Sequence, residues 1–425
     1  MKLETAFSID TSSIKYGPGV SEEAGYELNR LGSKRVMVLT DHNVSKTEIF
    51  QNVIECIKNS KIDIFLYDSV RVEPTDESFK NAIKCAEEGS FDGFVAIGGG
   101  STIDTAKAAN LYSTYQDDFL TYVNAPLGDG RSIPGPLKPL VAIPTTTGTG
   151  SETTGISIFD FLEIKAKTGI AHRYLRPNVG LIDPNVTATL PSIVVACSGL
   201  DVLCHGLESY TALPYNNRIA PEEPGSRPSY QGSNPISDVW AAKALEMVGE
   251  NIVLAVNDPE NKQARANMLL AATYAGVGFG NAGCHLPHGM SYPVSGMVSE
   301  FIPQGYLSET PIIPHGMSVA LNAPSVFKFT GSSNPGRHLS AAKFLGEKVR
   351  ESDENLAGEI LSNTVTNIMR KIGMPNGLRS VGYSEKDVDK LVEGTLPQHR
   401  VTKLCPNSFT RDDLKNMFLD AMDLW

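Results

Sequence analysis

The chain has 425 residues, of which 41% are hydrophobic and 20% charged, and its formal net charge is −11. That length supports about three domains of about 150 residues or two larger ones, and the composition supplies a buried core without the signature of bulk disorder. The acidic balance, with no polybasic run, speaks against a general nucleic-acid role, because phosphate binding draws on concentrated Lys and Arg.

The opening MKLETAFSID includes Glu4 and Asp10 and shows neither an apolar signal core nor an Arg-rich, acid-poor leader, so no presequence is visible. The first half then alternates short β-branched runs with helical segments. Strands are expected at Arg35–Thr40, Ile62–Tyr67, Phe91–Ile97 and Leu137–Ile143, and helices around Val44–Asn59 and Thr75–Glu88. This alternation predicts an α/β dinucleotide-binding (Rossmann-like) domain with a largely parallel sheet. Ile156–Phe161 adds a peripheral hairpin strand.

After about Pro191 the pattern becomes helical. Pro235–Asn257 carries apolar residues at helical spacing, and Thr410–Trp425 does the same behind a Thr-x-x-Asp capping box. The domains are therefore drawn at 1–190 (α/β) and 191–425 (all-helical), with Pro214–Pro235 as an inserted surface loop. From Ala266 to Ser299 there is no Asp, Glu, Lys or Arg, a length that would span a bilayer. Asn267, Asn281, His285, His288, Pro287, Pro293 and several glycines make lipid a poor solvent for it, so it reads as a buried functional segment. The six cysteines form no CxxC pair and suit a reducing, intracellular compartment.

Three segments carry chemistry. In FVAIGGGSTIDTAK an apolar strand runs into Gly98, Gly99 and Gly100, and Ser101 begins a helix. Backbone N–H groups there are free to approach a phosphate at a helix N-terminus. The competing reading is a tight turn in which Ser101 is the cap and Asp104 its capping-box partner. The second segment, PTTTGTGSE, follows the strand ending at Ile143 and offers Thr145, Thr146 and Thr149 at a strand's C-terminal edge, where open α/β sheets bind ligands. Two such cradles point to a dinucleotide. Asp41, just past the first strand, can accept from a ribose and repel a 2′-phosphate, favouring NAD over NADP; as a lone residue it reads equally as a turn former.

In the third segment, GLDVLCHGLESY, Asp201 and His205 lie four apart on one helical face. His285, His288 and His315 follow, so four of the eight histidines fall around these places. One Asp with three His suits a divalent transition metal, and Fe²⁺ can widen its coordination to admit a substrate oxygen, with Zn²⁺ the alternative. Cys204 and Cys284 are possible soft ligands; both read better as small buried hydrophobes.

Together GGGSTIDTAK, PTTTGTGSE, GLDVLCHGLESY and PHG resemble the iron-containing (group III) alcohol dehydrogenase family, in its order and over nearly the whole chain. YDSVRVEPTDESF, ALPYNNR, RPSYQGSNPISD, GFGNAGCHLPHGMSYPVSG and GTLPQHRVTKL resemble its hydroxyacid–oxoacid transhydrogenase branch. The resemblance implies a dehydroquinate synthase-like two-domain fold, bound NAD and a metal in the cleft between the domains. It also implies hydride transfer from 4-hydroxybutyrate to 2-oxoglutarate, in the mitochondrial matrix for animal members. Matched position by position, Asp201, His205, His288 and His315 are the metal ligands. Gly98 to Ser101, Asp104 and Thr145 to Thr149 are the cofactor loops, Asp41 the ribose contact and Lys167 a lysine near the adenosine. Where many relatives have a proton-relay histidine four residues after His288, this chain has Tyr292; His285, matched to none of the ligands, is a candidate substitute or else a residue behind the ligands.

Because both substrates are acids, cations are expected near them, and Arg218, Arg227, Arg400 and Lys403 are the candidates; ordinary surface charges are the alternative. The expected partners are small-molecule acids, with neither nucleic acid nor membrane, and a homo-oligomer is left open. The rival activity is an NAD-dependent iron-type alcohol dehydrogenase with exchangeable cofactor. More distant rivals are a dehydroquinate synthase-like lyase and a non-catalytic binding protein.

Overall fold

A computed structural model describes residues 2–163 and 166–425. The chain divides into two compact units, Asp10–Thr189 and Leu190–Trp425, the second also holding the N-terminal segment through Ile9.

The first unit is built on a six-stranded parallel sheet. Its strands are β1 (Ser13–Tyr16), β2 (Arg35–Leu39), β3 (Asp63–Tyr67), β4 (Gly93–Gly98), β5 (Leu140–Pro144) and β8 (Val179–Ile182), in the order β1-β8-β5-β4-β2-β3. Between β5 and β8, β6 (Ile156–Phe161) and β7 (Ala166–Ala171) form an antiparallel hairpin. The helices are α1 (Ala24–Arg30), α2 (Glu48–Asn59), α3 (Asp76–Gly89) and α4 (Gly100–Thr114). Successive strand side chains point to opposite faces, and both faces here are apolar. Val36, Val38, Val95, Ile97, Val141 and Ile143 pack on Leu28, Phe50, Val53 and Ile57. Met37, Leu39, Phe94, Ala96 and Ala142 pack on Ala82, Ala86, Ile103 and Ala106. Burial on both faces is what makes these strands read as continuous apolar runs.

Local chemistry trims the expected elements. β4 begins at Gly93 because Asp92 turns its carboxylate back to accept from the backbone N–H groups of Lys34 and Arg35, at 2.9 and 3.0 Å. A 3₁₀ turn at Val44–Lys46 precedes α2, whose N-cap is Thr47, accepting from Phe50 N. β1 and β8, four residues each and too short to announce themselves in composition, complete the sheet, and β7 completes the hairpin.

The second unit consists of α5 (Ser192–Thr211), α6 (Pro235–Asn257), α7 (Lys262–Ala282), α8 (Leu286–Gly296), α9 (His315–Thr330), α10 (Pro335–Phe344), α11 (Ala357–Lys371), α12 (Val388–Thr395), α13 (His399–Thr402) and α14 (Arg411–Asp420). α6 starts where its sequence requires: Asn234 caps Ile236 N and Ser237 N, and Pro235 occupies the first turn. α14 opens with the Thr410–Asp413 capping box and stops at Asp420, short of the expected Trp425. The core joins Leu200, Leu203 and Leu207 of α5 to Leu245, Val248 and Ile252 of α6 and Met268 and Ala272 of α7. Although α5 is long and apolar enough to cross a membrane, most of it is buried within this core. The uncharged stretch supplies the C-terminal part of α7 and all of α8, and is largely buried as expected.

The N-terminal segment joins this helical unit because its groups are matched there. Glu4 N donates to Arg218 O at 2.8 Å, and the Glu4 carboxylate accepts from Arg227 Nε and Nη2 at 3.0 and 3.2 Å. Ser8 N donates to Gln231 Oε1 at 2.9 Å.

Candidate metal centre and cofactor loops

Asp201, His205 and Glu208 stand at i, i+4 and i+7 on α5, hence on one face. α8 presents His288 from its first turn, and α9 opens on His315. The Nε2 atoms of His205, His288 and His315 lie 3.7, 3.6 and 3.8 Å from Asp201 Oδ1. Four donors at about 2.1 Å from a tetrahedral cation stand about 3.4 Å apart, so each histidine nitrogen lies within a few tenths of an ångström of that spacing from Asp201 Oδ1. Asp201 Oδ1 and His288 Nε2 are buried and lack a hydrogen-bond partner among the described residues. Buried polar atoms left in that state mark a place for a bound species. The residues present fit a divalent cation.

Charge and packing hold the arrangement. Burial opposes ionisation of Asp201, but the three histidines keep its carboxyl well below the usual range. Burial pushes His205 down to about 3, so its ring is neutral, as a ligand requires. Its ring also stacks flat on Phe279, 3.7 Å between centroids and 4° between planes. His288 Nδ1 donates to Glu208 Oε1 at 2.6 Å, and Glu208 Oε2 accepts from His285 N at 2.7 Å. With Nδ1 committed to Glu208, Nε2 is the nitrogen that faces Asp201; the acidic groups around the ring outweigh its burial and raise it above the ordinary histidine range, so a bound cation would take the place of the Nε2 proton. Sequence reasoning missed Glu208, although its i+7 spacing from Asp201 was a usable signal. Gly316 is equally necessary: a Cβ there would sit 2.0 Å from Cys197 O and 2.8 Å from Asp201 Cβ, so only glycine lets α9 bring His315 against α5.

Cys284 comes within ligand spacing of His205 and His288. Burial pushes its thiol up to about 11 and that of Cys204 well above the ordinary value, so both are neutral thiols. His285 takes another role. Thr211 Oγ1 donates to Leu207 O at 2.7 Å and thereby accepts from His285 Nε2 at 3.0 Å. The ring is fully buried and pushed down to about 4 by that burial. Tyr292 stacks on His315, 6.4 Å between centroids and 23° between planes, and its hydroxyl accepts from Arg400 Nη2 at 2.9 Å.

In the α/β unit the glycine and threonine loops leave neighbouring strands, Gly98 pairing with Pro144. The glycines serve first to let the loops interlock. A Cβ on Gly99 would meet Thr146 Cγ2 at 3.1 Å, and one on Gly100 would meet Thr149 Cγ2 at 2.5 Å. Thr145 N donates to Gly98 O at 3.0 Å. The helix cap is Gly99 rather than Ser101, whose hydroxyl accepts from Glu73 N at 3.2 Å. Asp104 forms no capping box; it accepts from Ser151 Oγ at 2.5 Å and Ile158 N at 2.9 Å, clamping the threonine loop to β6. Asp41 Oδ1 accepts from Asn43 N and Val44 N at 2.9 and 3.1 Å, which is the turn-forming arrangement. Lys167 is buried in the hairpin. There Asp160 and Glu73, at 3.1 and 2.6 Å, outweigh burial and hold its ammonium above the ordinary lysine range.

Of the expected carboxylate-binding cations, Arg227 is already matched by Glu4, whose carboxyl it holds down at about 2. Arg218 Nη1 donates to Gln231 O at 2.9 Å. Arg400 and Lys403 make no ion pair among the described residues.

Known proteins resemble the chain over nearly its full length. Residues 11–184 match the iron-containing alcohol dehydrogenase family model, and residues 229–422 the C-terminal model of that family. The chain is 53% identical over 422 residues to the mitochondrial hydroxyacid-oxoacid transhydrogenase of Xenopus laevis and 51% identical to that of Bos taurus, covering 99% of this chain and 91% of each relative. Among solved structures, the iron-containing alcohol dehydrogenase of Thermococcus thioreducens superposes with a TM-score of 0.81 at 26% identity, covering 98% of this chain and 99% of that one. The chain belongs to the iron-containing alcohol dehydrogenase family of oxidoreductases.

Proposed function

We propose that the protein is a hydroxyacid–oxoacid transhydrogenase that oxidises 4-hydroxybutyrate to succinate semialdehyde while reducing 2-oxoglutarate to 2-hydroxyglutarate. The net change moves one hydride and one proton from the alcohol to the ketone. When bound, NAD supplies the hydride relay and a divalent cation, Fe²⁺ ahead of Zn²⁺, supplies Lewis-acid stabilisation of the alcohol's developing negative charge. Asp201, His205, His288 and His315 would hold that cation, and Glu208 orients His288. Gly98–Ser101 and Thr145–Thr149 would cradle the dinucleotide at the carboxyl ends of β4 and β5, with Asp41 toward the ribose. The observation that carries the reading is the convergence of three imidazoles on one carboxylate, in a chain half identical to relatives of that name. Those relatives are named mitochondrial, and the mitochondrial matrix is the proposed compartment.

The test is turnover of 4-hydroxybutyrate with 2-oxoglutarate by metal-loaded protein without added NAD. Equimolar succinate semialdehyde and 2-hydroxyglutarate are expected. Oxidation that proceeds only with added NAD, and stops when that NAD is consumed, would instead make the protein an ordinary alcohol dehydrogenase.

A further inference from the structure

The centre described above accounts for the alcohol end of a substrate but not for its acid end. Resting on the transhydrogenase reading, the two proposed substrates share a feature. In 4-hydroxybutyrate the carboxylate stands three carbon–carbon bonds from the carbon that loses hydride. In 2-oxoglutarate the distal carboxylate stands three carbon–carbon bonds from the carbon that gains it. One fixed cation can therefore serve both half-reactions.

The helical unit offers one guanidinium suited to this. Arg400 lies on α13, and its Nη2 donates to Tyr292, whose ring lies against the ligand His315. The Tyr230 ring flanks it on another side, 5.1 Å from the guanidinium carbon. Nη1 is buried and has no hydrogen-bond partner among the described residues. An unmade charge-assisted hydrogen bond of this kind is costly. Nearby charge deepens the imbalance. Lys403, three residues on, is pushed down by burial and by the positive charges of Arg218 and Arg400. Arg227, by contrast, is matched by Glu4.

We infer that Arg400, oriented by Tyr292 beside the ligand His315, is the anchor for the carboxylate common to both acids, with Lys403 and Arg218 adding positive potential around it. Tyr292 is accordingly a positioning residue for Arg400, at the place where many relatives of this fold carry a relay histidine. The remote anchor sets chain length as well as charge. Acids whose carboxylate stands two or four bonds from the reacting carbon should be poorer substrates than those with three.

The test compares kcat/KM for 4-hydroxybutyrate with that for 1,4-butanediol, its uncharged counterpart, in metal-loaded protein with NAD added. For Arg400→Ala and Arg400→Gln the acid-to-diol ratio is expected to fall about 10- to 100-fold, the range for one charged hydrogen bond. Arg400→Lys, which keeps the charge but loses the fork, should lie between these and the native chain and serves if the larger changes prevent folding. Calorimetric titration with glutarate, a non-reacting diacid, should show binding to the native protein and at least a tenfold loss in the variants. An unchanged ratio would overturn the assignment, as would a parallel fall on both substrates with glutarate binding intact. Because NAD is supplied, a collapsed ratio in a protein that cannot run the coupled reaction unaided would reject the transhydrogenase reading and keep the anchor.

Discussion

Glu208 is hydrogen-bonded to His288 at the fully buried base of the metal centre, so a change there should act through the imidazole. Glu208→Gln keeps the volume but loses the negative charge that fixes the ring's Nδ1 proton. Metal affinity should fall about 10- to 100-fold, read by titration of metal-free protein with Fe²⁺ or Zn²⁺. Gly316→Ala acts by shape alone. The added methyl meets Cys197 O and the Asp201 backbone, so α9 must shift and carry His315 with it. The expected outcome is weakened metal binding although all four ligand side chains are still present. Asp201 and the candidate histidines were legible from residue type and spacing, but which of His285 and His288 faces Asp201 was not. Glu208 and Gly316 were not singled out, because their roles depend on which atoms lie across from them.

Among the elements, the two loops of the α/β unit depend on each other. Gly100→Ala would press its methyl on Thr149, parting the loops, and should weaken NAD binding about tenfold by calorimetry, an assignable loss if the thermal midpoint is preserved. The strands that carry these loops were readable from β-branched runs, but the interlocking of glycine with threonine was not, since Thr149 comes 49 residues after Gly100. The N-terminal segment provides a pH-dependent tie to the helical unit. Glu4 falls from an ordinary 4.5 to about 2 when Arg227 pairs with it. A depressed carboxyl stabilises the fold fully above its unfolded value and loses that contribution as pH drops through its folded one. The stability advantage of the native chain over Glu4→Gln, measured by denaturant midpoints, should therefore be large at pH 7 and shrink between about pH 4.5 and about pH 2. Arg227 read as a free cation in the sequence because its partner lies 223 residues away.

For the whole molecule, the proposed metal centre would tie together α5, α8 and α9; α6 and α7 separate the first two in the chain, and residues 297–314, which form no helix, separate α8 from α9. Metal bound at about 100 times its Kd should raise the thermal midpoint of the helical unit by about 5–10 °C. Chelation should remove the rise, and Asp201→Ala should be insensitive to both, by scanning calorimetry. Fold class, the change from alternating strands to helices near residue 190, and the identity of the chemistry-bearing side chains all followed from period and local spacing. These are short-range properties, set by strand and helix geometry over a few residues. Which histidines meet Asp201, which thiols stay neutral and which arginine keeps an unmatched charge were decided by packing between distant segments. Burial and partner charge exist only once the chain has closed on itself.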